Sequence, residues 1–252
     1  MRIFLSLAML FSFSVIAQDS VEYKYELETN KAEYYIGSYK KGKDVEDLVA
    51  WYGKFQEWAD TKGTTFDTMS VAILTPYFHS DLTSHDVMWA TTSPSPVEQF
   101  KGLQEWMTSG ASALIKSLPV VNHQQVDTWQ WTVSQPATTD AGSLIHATYS
   151  DCSLEDDFDM REVYDMYKDF AIFAKSQGDT LGRKLIVPSA GAKLSEGVDF
   201  IRLMYTSSIA EVGTNEELYL KKIQGSEADT NLKGFSCDNA RTYIGPIMKA
   251  PK

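Results

Sequence analysis

Asp44–Gly63 reads DVEDLVAWYGKFQEWADTKG and Asp159–Gly178 reads DMREVYDMYKDFAIFAKSQG; the two stretches align without a gap, 115 positions apart. Leu48, Trp51, Tyr52, Phe55 and Trp58 fall at the three- and four-residue spacing that places side chains on one face of a helix. Val163, Met166, Tyr167, Phe170 and Phe173 take the same places in the second stretch. Asp44 and Asp159 stand where an N-cap accepts free backbone N–H groups, and Gly63 and Gly178 supply the left-handed residue that ends a helix cheaply. Start, stop and buried face all repeat, so the chain is expected to contain two copies of one unit.

The surrounding sequence bounds the address. Met1-Arg2 followed by the apolar Ile3–Ala17 and the polar Gln18-Asp19-Ser20 has the composition of a secretory signal peptide, residues 1–17, cleaved after Ala17. The run is shorter than the roughly 20 residues a spanning helix needs, and no later segment reads as membrane. A bacterial periplasmic or secreted protein is the expectation. About 235 residues then remain, enough for two units of ordinary size. The formal charge of −11, with acidic groups in both halves, argues against nucleic acid and anionic lipid, both of which attract basic surfaces.

Taken in order, residues 18–30 form an N-terminal extension whose alternating Val21–Leu27 patch suggests an edge strand. Glu33–Tyr39 reads as a strand, followed by the first repeated helix. Met69–Leu74 and Asp86–Ala90 read as a hairpin around a loop holding His79 and His85. Val97, Phe100, Leu103, Trp106 and Met107 have helical spacing, Ala111–Leu118 is a further apolar stretch, and Val126–Val133 alternates as a strand. The second half follows the same order: Leu144–Tyr149, the repeated helix, Gly182–Val187, Phe200–Tyr205, a helix over Ile209–Ile223, and Arg241–Ile244 as the last strand. Residues 31–136 and 144–249 each read β-α-β-β-α-β, joined by a polar linker over 137–143.

This order is the ferredoxin-like arrangement, with the fourth strand beside the first and both helices on one face of the sheet. The expected class is α+β: tandem ferredoxin-like repeats whose two antiparallel sheets pack face to face. In this the chain resembles a fused pair of units of the dimeric α-β barrel superfamily, by element order and the doubled helix rather than by a diagnostic motif. Fold alone does not fix chemistry.

Cys152 follows the first strand of the second half and Cys237 precedes the fourth, its expected antiparallel neighbour. An exported protein would join them, with two buried thiols as the alternative.

No GxSxG, phosphate loop, dinucleotide fingerprint, HExxH or CxxC occurs in the sequence. His79, Asp81 and His85 could hold zinc, but a solvated hairpin loop explains them as well, and no metal site is expected. Asp151, Ser153, Glu155, Asp157, Asp159 and Glu162 match the side-chain spacing of a calcium loop, yet Asp156 stands where such a loop needs glycine. An acidic approach to a helix N-terminus explains the same residues.

Proteins of the resembling superfamily often keep a small-molecule pocket between sheet and helices, which implies a candidate lining of Trp51, Trp89 and Trp129 in the first half and His146, Tyr167 and Arg202 in the second. Ordinary core packing is the competing explanation for each aromatic. Two functional readings follow: a module that binds a small apolar or aromatic ligand or serves as a scaffold, and an enzyme, either a cofactor-independent monooxygenase or a haem-using relative. The cofactor, if any, is not readable from the sequence. A monomer is expected, since each sheet would have its partner in the same chain.

Overall fold

A computed structural model describes residues 23–109 and 111–252; the leader-like segment lies outside these residues. The first half contains β1 (Thr29–Tyr39), α1 (Val45–Asp60), β2 (Ser70–Pro76), β3 (Val87–Ser93), α2 (Pro96–Thr108), α3 (Ser112–Ser117) and β4 (Val120–Ser134). The second contains β5 (Leu144–Leu154), α4 (Met160–Ser176), β6 (Gly182–Ala190), β7 (Phe200–Thr206), α5 (Ile209–Leu218) with a π-helical turn over Tyr219–Ile223, α6 (Glu227–Asn231) and β8 (Phe235–Lys249).

Both repeated helices form, and their starts are alike in atomic detail. Asp44 accepts from the backbone of Glu46 and Asp47 while the Asp47 side chain accepts from the Asp44 N–H. Asp159 accepts from Arg161 and Glu162 while the Glu162 side chain accepts from the Asp159 N–H. Each capping box satisfies donors that a helix start otherwise leaves bare.

The eight strands close a barrel in the order β1-β3-β2-β8-β5-β7-β6-β4, every pairing antiparallel. β4 lies beside β1 and β8 beside β5, as the sequence order implies. The two expected sheets are not separate: β2 pairs with β8 and β4 with β6, joining them edge to edge. Closure leaves no edge strand with bare backbone groups. Gly37 sits at a register shift between β1 and β4, where a Cβ would lie 2.3 Å from the Val121 carbonyl oxygen. Only glycine permits that approach.

Three cores result. The barrel interior holds Ala32, Tyr34, Leu74, Met88, Val126, Ala147, Tyr149, Ile186, Leu203, Tyr205 and Tyr243. α4 packs Val163, Tyr164, Tyr167, Phe170 and Ala171 on the outer face of the second half, against Leu185 and Phe200. α1 packs Leu48, Trp51, Tyr52 and Phe55 on the outer face of the first half, against Val71, Ile73 and Val87.

Cys152 and Cys237 face each other in the β5–β8 register, Cα atoms 4.1 Å apart, and are disulfide-bonded. Cys237 lies within β8, which starts earlier than its alternation suggests because the bulged outer segment is polar. The described part of the Val21–Leu27 patch is not a strand. Residues 23–28 instead cross α4: the Lys24 ammonium meets Asp169 at 2.6 Å, the Tyr25 hydroxyl donates to Asp169 at 2.6 Å, and Lys168 meets Glu28 at 2.6 Å. These polar alternates satisfy charged groups of the helix, which a barrel already closed by β1 and β4 gives no edge to accept as a strand.

Candidate functional site

Between α1, α2 and the outer face of β1 and β3 lies a cavity of about 370 Å³. Its apolar wall is aromatic. Trp51 stands edge-on to Trp89 at 5.8 Å and to Trp106 at 6.4 Å between ring centroids, and Phe55 meets Trp89 at 5.9 Å and Trp106 at 5.7 Å. Edge-to-face contacts set the rings nearly perpendicular, so they resist collapse into one stack. The Trp51 indole N–H donates to the Leu114 carbonyl at 2.9 Å, tying α1 to α3 and fixing the ring. Gly102 forms part of the wall on α2; a Cβ there would meet the Phe66 ring at 3.1 Å. The close approach of α2 therefore depends on that glycine.

The other end is polar. Strand alternation sends Tyr34 into the barrel and Glu33 and Tyr35 outward to the cavity. Ser95 caps α2 through the Glu98 N–H, with Pro96 as its first residue, and the helix then presents Gln99 towards β1. The Gln99 amide nitrogen donates to Glu33 Oε1 at 3.0 Å and to Asp127 Oδ1 at 2.8 Å. Both partners are carboxylate oxygens, which fixes the amide orientation, and Gln99 Oε1 is left buried with no partner. Tyr35 donates to Glu33 Oε2 at 3.1 Å. Burial, and then the Glu33 carboxylate beside it, push the Tyr35 hydroxyl well above the usual phenol range.

Asp127, just beyond the cavity, receives the Lys31 ammonium at 2.7 Å and the Ser189 hydroxyl. Burial works against its charge, but the hydrogen bonds from Gln99, Lys31 and Ser189 prevail and hold its carboxyl below the ordinary range. Lys31 is thereby committed to Asp127.

Of the six residues singled out in the sequence, Trp51 and Trp89 line the cavity. Trp129 does not: it is 36% exposed on the barrel's outer surface, with the Lys31 ammonium 4.8 Å from its ring centroid. Tyr167 is buried in the α4 core against Phe170 and Phe235. His146 is half-buried on β5, between Thr206 and Ile244 in register, and burial lowers its pKa below the usual imidazole value. Arg202 is half-buried on β7, and its Nε is buried without a partner. The six residues therefore do not form one site.

Among the described residues no group of three or more His, Cys, Asp and Glu side chains is placed to hold a metal ion. Asp151 of the calcium-like run pairs with Arg241 at 2.8 Å, and Asp159 and Glu162 are spent on the α4 cap. In the hairpin loop His79 and His85 contact each other at 5.4 Å edge to face, and His85 stacks on Tyr243.

Sequence reading missed Glu33, Gln99 and Trp106. Trp106 lay in plain view on the apolar face of α2. Glu33 carried a weaker signal, a carboxylate in a strand directly followed by Tyr34 and Tyr35.

The fold is a closed eight-stranded antiparallel barrel with helices on its outer surface. Solved structures with this fold include a doubly substituted chlorite dismutase from Candidatus Nitrospira defluvii, at 11% identity and TM-score 0.45 over 88% of this chain and 93% of that one. A candidate chlorite dismutase is similar at 12% identity and TM-score 0.48, over 88% of this chain and 96% of that one. The Candidatus Nitrospira defluvii enzyme in complex with imidazole matches at 13% identity and TM-score 0.44, covering 88% and 92%. No family model and no curated protein matches the sequence. At this level the likeness is one of fold.

Proposed function

We propose that the protein is an exported binding module that takes a small, largely aromatic molecule into the cavity of its first half. The carrying observation is that cavity itself. Beside the buried α1 core of Leu48, Tyr52 and Phe55, the first half keeps a space of about 370 Å³ lined by Trp51, Trp89 and Trp106. An open space walled by large rings that could have closed on themselves is the usual mark of a ligand site. Indole, as a neutral probe, should raise the melting temperature and shift the emission of the cavity tryptophans. Leu103→Trp, which puts a ring into the space, should abolish both effects. No response to indole or to any bicyclic arene would remove this reading and leave a scaffold.

A second reading is an enzyme of the same barrel type, either a haem-using protein or a cofactor-independent monooxygenase. The chlorite dismutase names of the neighbouring structures are what favour it. The cavity does not fit haem, which needs an axial donor and cationic partners for two propionates. Among the described residues its wall has Tyr35, Met69 and Met107 but no His or Cys, no Lys or Arg to meet propionates, and two carboxylates, Glu33 and Glu98, that would repel them. Haemin added to the protein should therefore give no Soret band beyond that of free haemin, and a bound spectrum would restore the enzyme reading.

The same proposal takes residues 31–136 and 144–249 as duplicated ferredoxin-like repeats and the chain as a monomer. The strand orders β4-β1-β3-β2 and β8-β5-β7-β6 support the first, and a barrel closed within one chain supports the second. The Cys152–Cys237 bond supports export, since such bonds persist in oxidising compartments.

A further inference from the structure

We infer that the ligand of the first-half cavity is an organic cation, an aromatic body carrying a protonated amine; this deepens the binding reading above and rests on it. Three observations converge. The first is charge: Glu33 and Glu98 line the cavity, no cationic side chain does among the described residues, and Glu33 forms no ion pair there. Lys31, two positions before Glu33 on β1, is turned to Asp127 and Ser189. A half-buried carboxylate without a counter-charge is an unfavourable arrangement that a cation would relieve.

The second is the donor–acceptor balance. Glu33 has its lone pairs only partly met, by two neutral donors, the Gln99 amide and the Tyr35 hydroxyl. Gln99 spends its N–H donors on two carboxylates and has none left to offer a ligand. The Glu33 carboxylate therefore has acceptor capacity to spare and calls for a donor from the ligand. An ammonium supplies several, with charge. The third is the wall: Trp51, Trp89 and Trp106 bring three indole rings to the cavity, and rings of this kind attract a cation through their quadrupoles as well as packing an arene. An anion would meet carboxylates at one end and gain no counter-charge from the wall.

The test compares three ligands that share one ring system: tryptamine as cation, 3-methylindole as neutral form, and indole-3-acetate as anion. Affinity is read by calorimetry or tryptophan quenching on the full chain at neutral pH. Tryptamine should bind about tenfold or more tighter than 3-methylindole, the scale of one charge-assisted contact, and indole-3-acetate should not bind. Added salt should weaken the tryptamine complex and leave 3-methylindole unchanged. Glu33→Gln should bring tryptamine down to the level of 3-methylindole, with the neutral ligand's affinity serving as the control that the cavity is still formed. Equal affinities for tryptamine and 3-methylindole on the unaltered protein would overturn the cation inference while leaving the cavity reading in place. Absence of binding by all three would overturn both.

Discussion

Removing the Cys152–Cys237 bond, by Cys152→Ala with Cys237→Ala or by reduction of the unaltered chain, tests how much of the stability rests on covalent closure. The bridge spans 85 positions. Treating the cross-link as a loss of chain entropy in the unfolded ensemble, a loop of that length contributes about 4.5 kcal/mol at room temperature. The native state needs little rearrangement to lose it, because the β5–β8 ladder already holds the two residues in register. The double variant also loses a fully buried sulfur at Cys152, which adds a cavity contribution, so reduction of the unaltered chain is the cleaner measurement. Urea titration followed by far-ultraviolet circular dichroism should show ΔG of unfolding lower by about 4 to 5 kcal/mol and a steeper denaturant dependence, because the reduced unfolded chain is more expanded. A loss below about 1.5 kcal/mol with an unchanged slope would show that the bond does not act through the unfolded chain. The oxidised protein should weigh two hydrogens less than the free-thiol form.

Lys184 is buried inside the barrel, donates to Asn30 Oδ1 and Gln130 Oε1 at 2.7 Å each, and has its pKa pushed down to about 8 by burial, from 10.5. A lysine pKa lowered by folding means the unfolded chain binds more protons between those values, so stability should rise with pH from about 8 to 10.5 by up to ~3 kcal/mol. Lys184→Met should lose that rise, and a variant with the same pH profile as the parent would refute the assignment. Arg183 and Asp179 form a buried bidentate pair at 2.8 Å, so Asp179→Asn should cost about 3 to 5 kcal/mol in a denaturant titration by stranding the guanidinium. Phe200→Ala, in the packed second half with the ring fully buried, should cost about 3 to 5 kcal/mol, whereas Trp89→Ala, whose ring partly faces open space, should cost less despite its larger side chain. The reverse ranking would mean that the first-half cavity closes in solution.

The doubled helix was legible because capping and a 3.6-residue period are local, and both copies of the Asp cap formed the same reciprocal hydrogen bonds. The meeting of Cys152 and Cys237 was legible for a related reason: antiparallel neighbours in a known strand order bring named ends together. Closure of the barrel was harder to see. It depends on pairing between β2 and β8 and between β4 and β6, strands of different halves whose alternation says which face is buried but not which edge is shared. The site was half legible. Trp51 and Trp89 announced themselves by size, but Trp129 did not belong with them, because alternation along β4 puts it on the outer face beyond the helices that cover the cavity. Gln99 and Glu33 could not be paired from sequence at all; they lie 66 positions apart on a helix and a strand, and only the packing of α2 over β1 joins them.

The strap of residues 23–28 has a consequence in time. The Lys24 backbone N–H donates to Asp165, 141 positions later in the chain, on the helix of the other half. As the chain emerges from its N-terminal side, 141 further residues must follow Lys24 before Asp165 is present to receive it. β1 can pair with β3 and β4 long before then, but the chain leading into it has no resting place until α4 has formed. The strap of residues 23–28 is thus among the last parts to settle, because its partners stand on α4 of the other half.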